Sequence, residues 1–142
     1  MRFPTTSTKG QWRPIVPIRV QAPNGKQLFV DALVDTGCDM TLFTPAAAEL
    51  LQLDLSQVPE TPINSALGTV DTYQAVPLTL EIRRPPDVLR WTAHVGFVKR
   101  RLTYCILGTR GFFEFFQLNY DASQRQFELL PNESIPAIGE TR

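Results

Sequence analysis

The sequence predicts a mainly β domain, and three observations carry that expectation. Short segments with alternating apolar and polar residues recur along the chain, separated by turn residues. Asn24-Gly25, between two such segments, is the signal of a tight hairpin. Helix-forming stretches are few and short. At 142 residues the chain is long enough for one domain burying roughly 68–70% of its unfolded surface.

The elements are expected in the following order. Residues 1–13 are polar without periodicity and predict a flexible N-terminal arm. Ile15 to Ala22 and Gln27 to Val34 form the two strands of a hairpin around Pro23-Asn24-Gly25-Lys26. Thr44 caps a helix over Pro45–Leu53, where Pro45 suits the first turn and three alanines favour the rest. Pro59 and Pro62 break the chain before a second hairpin, with strands near 62–66 and 70–82 and a turn at Leu67-Gly68-Thr69. Leu78, Leu80 and Ile82 alternate with Thr79 and Glu81, the pattern of a half-buried strand. After the turn Arg84-Pro85-Pro86-Asp87 come a strand over 89–98 and an inner strand over 102–107 ending at Gly108. Gly111 to Phe116 reads as a short aromatic-faced helix, and 118–121 with 126–130 as a last hairpin. The domain is thus expected over 14–131, with 132–142 as a C-terminal tail.

Fourteen basic residues balance fourteen acidic ones. Net neutrality argues against general nucleic-acid or anionic-membrane binding, both of which draw on positive charge. Lys99-Arg100-Arg101 reads as a solvated turn. No window approaches the ~20 apolar residues of a membrane span, and the first residues lack a signal-peptide core, so the expected location is cytoplasmic. Two cysteines, Cys38 and Cys105, are too few for a disulfide framework or a zinc site and read as buried free thiols. The lone His94 falls in a strand pattern and reads as structural. No metal or cofactor is expected.

The chemistry concentrates at Asp35-Thr36-Gly37, which occurs once. Five of the six residues before it are apolar, so a strand delivers the carboxylate into a Thr-Gly turn. A charged group at the end of such a run is costly unless hydrogen-bonded, and the turn's backbone N–H groups can supply those bonds. An aspartic peptidase needs two carboxylates so placed, and the second would have to come from a second chain. The alternative is an ordinary strand-end turn capped by Asp. A second element, Tyr104-Cys105-Ile106-Leu107-Gly108, is an apolar strand ending in Gly.

In this order, Ala32 to Thr41 with its Asp-Thr-Gly, the glycine-tipped Ala66-Leu67-Gly68-Thr69, and Ile106-Leu107-Gly108 resemble the retropepsin family. These are the single-domain aspartic peptidases of retroviruses, and the likeness is greatest to the domain in eukaryotic DNA-damage-inducible proteins. The resemblance covers about residues 14–131. It implies a closed-barrel β fold with one or two short helices, a homodimer, and an active site at the subunit interface beneath two flaps. The implied partners are a second copy and peptide or protein substrates.

The resemblance assigns Asp35 as the catalytic aspartate, with Thr36 and Gly37 holding the dyad geometry. It places Leu33, Cys38 and Ile106 along the cleft, Asp39 where substrate main-chain N–H groups are received, and Leu67, Gly68 and Thr69 in the flap. The chain departs from the retroviral pattern at Thr109, where Arg would follow the final Gly and fix the residue matching Asp39; here Arg110 comes one later. Cys38 replaces a small Ala or Ser, which narrows the subsite or makes activity sensitive to oxidation. Phe3-Pro4 is an aromatic–Pro bond of the kind some retroviral enzymes cut, and a flexible arm would expose it. The implied function is a homodimeric aspartic endopeptidase acting on extended peptides with apolar residues around the scissile bond. A retropepsin-like module that dimerises and binds peptides without turnover is the alternative.

Overall fold

The computed structural model describes residues 1–64 and 70–135; Leu67, Gly68 and Thr69 lie outside them. Its first three strands are β1 (Arg2–Pro4), β2 (Thr6–Thr8) and β3 (Gln11–Arg13). The hairpin strands β4 (Ile15–Gln21) and β5 (Gln27–Val34) follow, then β6 (Leu42–Phe43) and the helix α1 (Pro45–Leu50). A long hairpin is made by β8 (Val70–Arg84) and β9 (Asp87–Val98), with β7 (Glu60–Asn64) on the outer side of β8. The inner strand β10 (Cys105–Leu107) precedes a final hairpin of β11 (Phe116–Asp121) and β12 (Gln126–Pro131).

The main sheet runs β4-β5-β10-β6-β9-β8, and β8 pairs back onto β4. Six strands therefore close on themselves, which removes the free edges an open sheet would present. Closure rests on Arg19↔Glu81, Val20↔Leu80 and Gln21↔Thr79. Strand periodicity fills the interior: Val16, Ile18 and Val20 from β4 meet Leu78, Leu80 and Ile82 from β8, all essentially inaccessible. At roughly 25 cal/mol per Å² of apolar surface removed from water, this shared core is the main stabilising term.

Glu81 departs from the simple alternation. It occupies the polar register expected of it, yet it is only 2% exposed. Arg19, Arg83 and Arg90 cover it, with guanidinium nitrogens 2.9, 2.5 and 2.6 Å from its carboxylate. Burial alone would raise the Glu81 pKa, but the three arginines outweigh it and hold the carboxyl at about 2.

The expected flexible arm over 1–13 is replaced by structure. β1 pairs antiparallel with β12, and Phe3 is buried, stacked on Phe127 at 5.3 Å between ring centroids. β2 and β3 form a hairpin of their own. The Phe3-Pro4 bond is therefore inside a paired strand, not on a free end. Apolar periodicity misses such segments because three-residue strands are too short to show it. β12 carries β11 on one side and β1 on the other, so residues 126–128 have both edges occupied within the chain.

The helix forms where expected but is shorter. Thr44 Oγ1 accepts from Ala47 N–H at 3.3 Å and caps it, Pro45 opens it, and it ends at Leu50 as Gln52 adopts a left-handed φ of 52°. The second expected helix is a run of turns instead. Phe113, Glu114, Phe115 and Phe116 donate to Gly108, Thr109, Phe112 and Phe112, so no regular i→i−4 ladder develops. Aromatic packing sets this path. Trp91 sits edge-on to Phe116 at 4.8 Å, Phe112 stacks on Phe116 at 4.7 Å, and the Trp91 indole N–H donates to the Gly111 carbonyl at 2.8 Å.

Candidate active site

Strand β10 lies between β5, which enters the Asp35 turn, and β6, which leaves it. It runs parallel to β5, with Cys105↔Ala32, Ile106↔Leu33 and Leu107↔Val34. Against β6 it runs antiparallel, with Ile106↔Leu42. The turn between β5 and β6 is bound to β10 and its continuation by a series of backbone bonds. Asp35 N–H donates to Leu107 O at 3.0 Å, Thr109 N–H to Cys38 O at 2.9 Å, and Arg110 N–H to Asp39 O at 3.0 Å. Thr41 N–H returns to Arg110 O at 2.9 Å. Asp35 thus sits on a backbone frame with little freedom to shift.

Gly108 makes that frame possible. A Cβ there would lie 2.4 Å from Met40 O and 2.6 Å from Cys38 O, which no side chain tolerates. The fully buried Thr41 completes the contact by accepting from Gly108 N–H at 3.2 Å through Oγ1. The sequence motif alone gives Thr41 no role; its supporting function depends on β6 and β10 being adjacent.

Asp35 is half-buried at the mouth of this frame. Its Oδ1 accepts from Gly37 N–H at 2.9 Å, as expected of the turn, and Cys38 N–H reaches Asp35 O at 3.3 Å. Thr36, Gly37 and Asp39 are exposed beside it. Cys38 Sγ donates to Met40 O at 3.1 Å. Burial raises the Cys38 pKa, the hydrogen bond to Met40 partly opposes this, and the charges of Asp35 and Asp39 raise it further. Among the described residues no ion pair joins Arg110 to Asp39; the two meet through the backbone.

Leu33 and Ile106, both expected along the cleft, are cross-strand partners and both partly exposed. Ile106 and Cys38 also pack against a second apolar cluster of Met40, Leu42, Tyr73 and Val98, with Ile63 from β7. Ile63 and Tyr73, cross-strand neighbours in the β7–β8 pairing that runs from Glu60↔Gln74 to Asn64↔Val70, thus bring that pairing against the same cluster. Leu33 and Ile106 further line a cavity of about 460 Å³ with residues of the β2–β3 hairpin. That hairpin is not legible in the sequence, because its strands are three residues each and Lys9-Gly10 is not a usual turn pair. Among the described residues no group of three or more His, Cys, Asp and Glu is arranged to hold a metal ion. No described helix is long and apolar enough to cross a membrane.

A family model described as "Aspartyl protease" matches residues 16–109, from the barrel's first strand to the end of the Gly108 frame. The chain belongs to the aspartyl protease family. Asp35, its turn and the frame strand all fall within the matched segment. A retropepsin-like aspartic protease from Rickettsia conorii has a similar structure, with TM-score 0.61 and 15% identity over 92% of this chain and 98% of that one. At that identity the likeness establishes the fold, and the fold is retropepsin-like, as the motifs imply. Two weaker likenesses are to the retroviral protease-like domain of Ddi1 from Leishmania major and to the EIAV protease complexed with the inhibitor HBY-793. The first has TM-score 0.45 and 15% identity, over 85% and 96% of the two chains. The second has TM-score 0.39 and 18% identity, over 72% and 88%. No curated protein matches the chain.

Proposed function

We propose that the protein is a homodimeric aspartic endopeptidase in which each chain supplies one catalytic Asp35. The observation that carries this reading is the Asp35 turn itself. A half-buried carboxylate is held by Gly37 N–H on one oxygen and mounted on a backbone frame, with an apolar cleft beside it. One such group lacks a general acid. Two brought together across a twofold axis cannot both ionise readily, so they hold one proton between them as a coupled pair. The ionised member takes a proton from water, and the protonated member donates to the scissile carbonyl.

Exposed Thr36 and Gly37 lie where a second copy would approach Asp35, and Asp39 lies where an extended peptide's N–H groups would pass. Leu33, Cys38 and Ile106 give the cleft its preference for apolar side chains, and Leu67, Gly68 and Thr69 serve as the flap tip. The test is Asp35→Asn. Hydrolysis of apolar decapeptides between pH 3 and 8 vanishes while sedimentation still reports the dimer mass. A confirmed wild-type dimer that cleaves no peptide over that range makes the chain a peptide-binding module, and a stable monomer removes the dyad altogether.

A further inference from the structure

The cavity beside the site has an unusual charge pattern. It is lined by the Leu33–Ile106 pair, with Leu33 two residues along the strand from Asp35, about 7 Å at ordinary strand rise. Leu102 and Tyr104 also line it, as do Lys9 and Arg13 of the β2–β3 hairpin. The remaining lining residues are uncharged, so the cavity carries two cations and no acid. Neither Lys9 nor Arg13 forms an ion pair with a described residue. The Arg13 guanidinium is instead held by the neutral Gln11 side chain at 2.5 Å.

Lys9 is placed there at a conformational cost. It has φ of 49°, a left-handed conformation sparsely populated by residues with side chains, and Gly10 follows at 77°. Two consecutive positive φ values make the two-residue turn that matches strand twist, where Asn, Asp or Gly is usual in the first position. A lysine at that position gains nothing for the turn. It does put a cation on the lining of the cavity that Leu33 and Ile106 share.

We infer that this cavity seats a substrate side chain carrying a carboxylate, so that the enzyme selects peptides with an acidic residue within about two positions of an apolar scissile bond. The inference rests on the peptidase reading above. In a twofold dimer with the Asp35 pair on the axis, each chain offers one such cavity, so the preference falls on both sides of the cut. Leu33 and Ile106 take the methylene stem, and Lys9 and Arg13 take the charge.

Two fluorogenic peptides test it, identical except for Glu or Gln two residues from the scissile bond. The wild-type dimer at pH 6 should prefer the Glu peptide by about 3- to 10-fold in kcat/KM, mainly through KM, as fits partly exposed ion pairs. Comparing the peptides as a ratio cancels the titration of the Asp35 pair. The preference should disappear at pH 3, below the ordinary Glu pKa of about 4.3. It should also fall toward unity in the Lys9→Gln/Arg13→Gln double variant, but not in Lys26→Gln on the distant β4–β5 turn. Anisotropy of the same peptides on the Asp35→Asn protein reads the preference without turnover. Selective binding with no cleavage by the wild type would refute the peptidase reading and keep the acidic seat. Equal handling of the two peptides by the wild type at pH 6, or a preference indifferent to both substitutions, would overturn the seat. So would loss of the dimer in Arg13→Gln, which would assign the cation to the subunit contact.

Discussion

Thr41 Oγ1 accepts the backbone N–H of Gly108 at 3.2 Å, so the strand leaving the Asp35 turn is pinned to the segment that supports the turn. Thr41 is fully buried, and no solvent can replace the bond. Thr41→Val keeps the shape and leaves the Gly108 N–H unsatisfied. The expected loss is about 1–3 kcal/mol of stability. Urea unfolding should show it as a lower midpoint at unchanged slope. Peptidase activity should fall further than stability does, because the displaced frame carries Asp35. An unchanged midpoint would mean that the bond contributes nothing net.

Gly108→Ala is a more severe change. The new methyl would meet two backbone carbonyl oxygens, at 2.4 and 2.6 Å, and neither can rotate away. Overpacking usually costs about 1–3 kcal/mol, and rigid neighbours put this site at or above the upper end. The variant should be poorly folded or, if soluble, lack the wild-type near-ultraviolet dichroism of its aromatic cluster. A well-folded Gly108→Ala protein with full activity would show that the frame around Asp35 is looser than its hydrogen bonds indicate.

Glu81 governs stability at low pH. Its carboxyl is held at about 2 in the fold against an ordinary value of 4.5. A depressed folded pKa contributes stability that is complete above 4.5 and lost as pH falls toward 2. The difference corresponds to roughly 3 kcal/mol at most, reduced because Arg83 and Arg90 face solvent. Melting temperature should therefore drop between pH 4.5 and 2, and Glu81→Gln should flatten that slope while lowering stability at neutral pH. The neutral-pH loss follows because three guanidiniums then share no anion. An unaltered acid slope in Glu81→Gln would assign acid sensitivity to other carboxylates.

Much of the barrel is legible in the sequence because its strands are long enough to show periodicity. β4, β5, β8 and β9 all fall within a few residues of the alternating segments, and Asn24-Gly25 marks the first hairpin. The Asp35 turn is legible because three residue types are needed together for one job. What escapes has a physical reason in each case. β1, β2 and β3 are too short for a pattern, and their order comes from pairing with β12 and with each other. The aromatic run after Gly108 reads as a short aromatic-faced helix, but packing of Phe112 and Phe116 on Trp91 sets a run of turns instead. Glu81 looks solvent-facing until the fold brings Arg19 from β4 and Arg90 from β9 across it.

Cys38 should resist oxidation, against the expectation its position first suggests. The thiolate is the reactive form, and burial together with the negative charges of Asp35 and Asp39 raises the thiol above its ordinary value of 9.0. The hydrogen bond with the Met40 backbone opposes this rise, but burial and the two carboxylate charges outweigh it. Iodoacetamide labelling at pH 7 should be much slower for Cys38 than for a free thiol in solution. The rate should keep climbing with pH past 9, where a free thiol has begun to level off, and should increase in Asp39→Asn as one opposing charge is removed. Peroxide treatment that leaves Cys38 reduced should leave peptidase activity intact. Rapid labelling at pH 7 would instead mean that the thiol is not held in its protonated form by burial and the two charges.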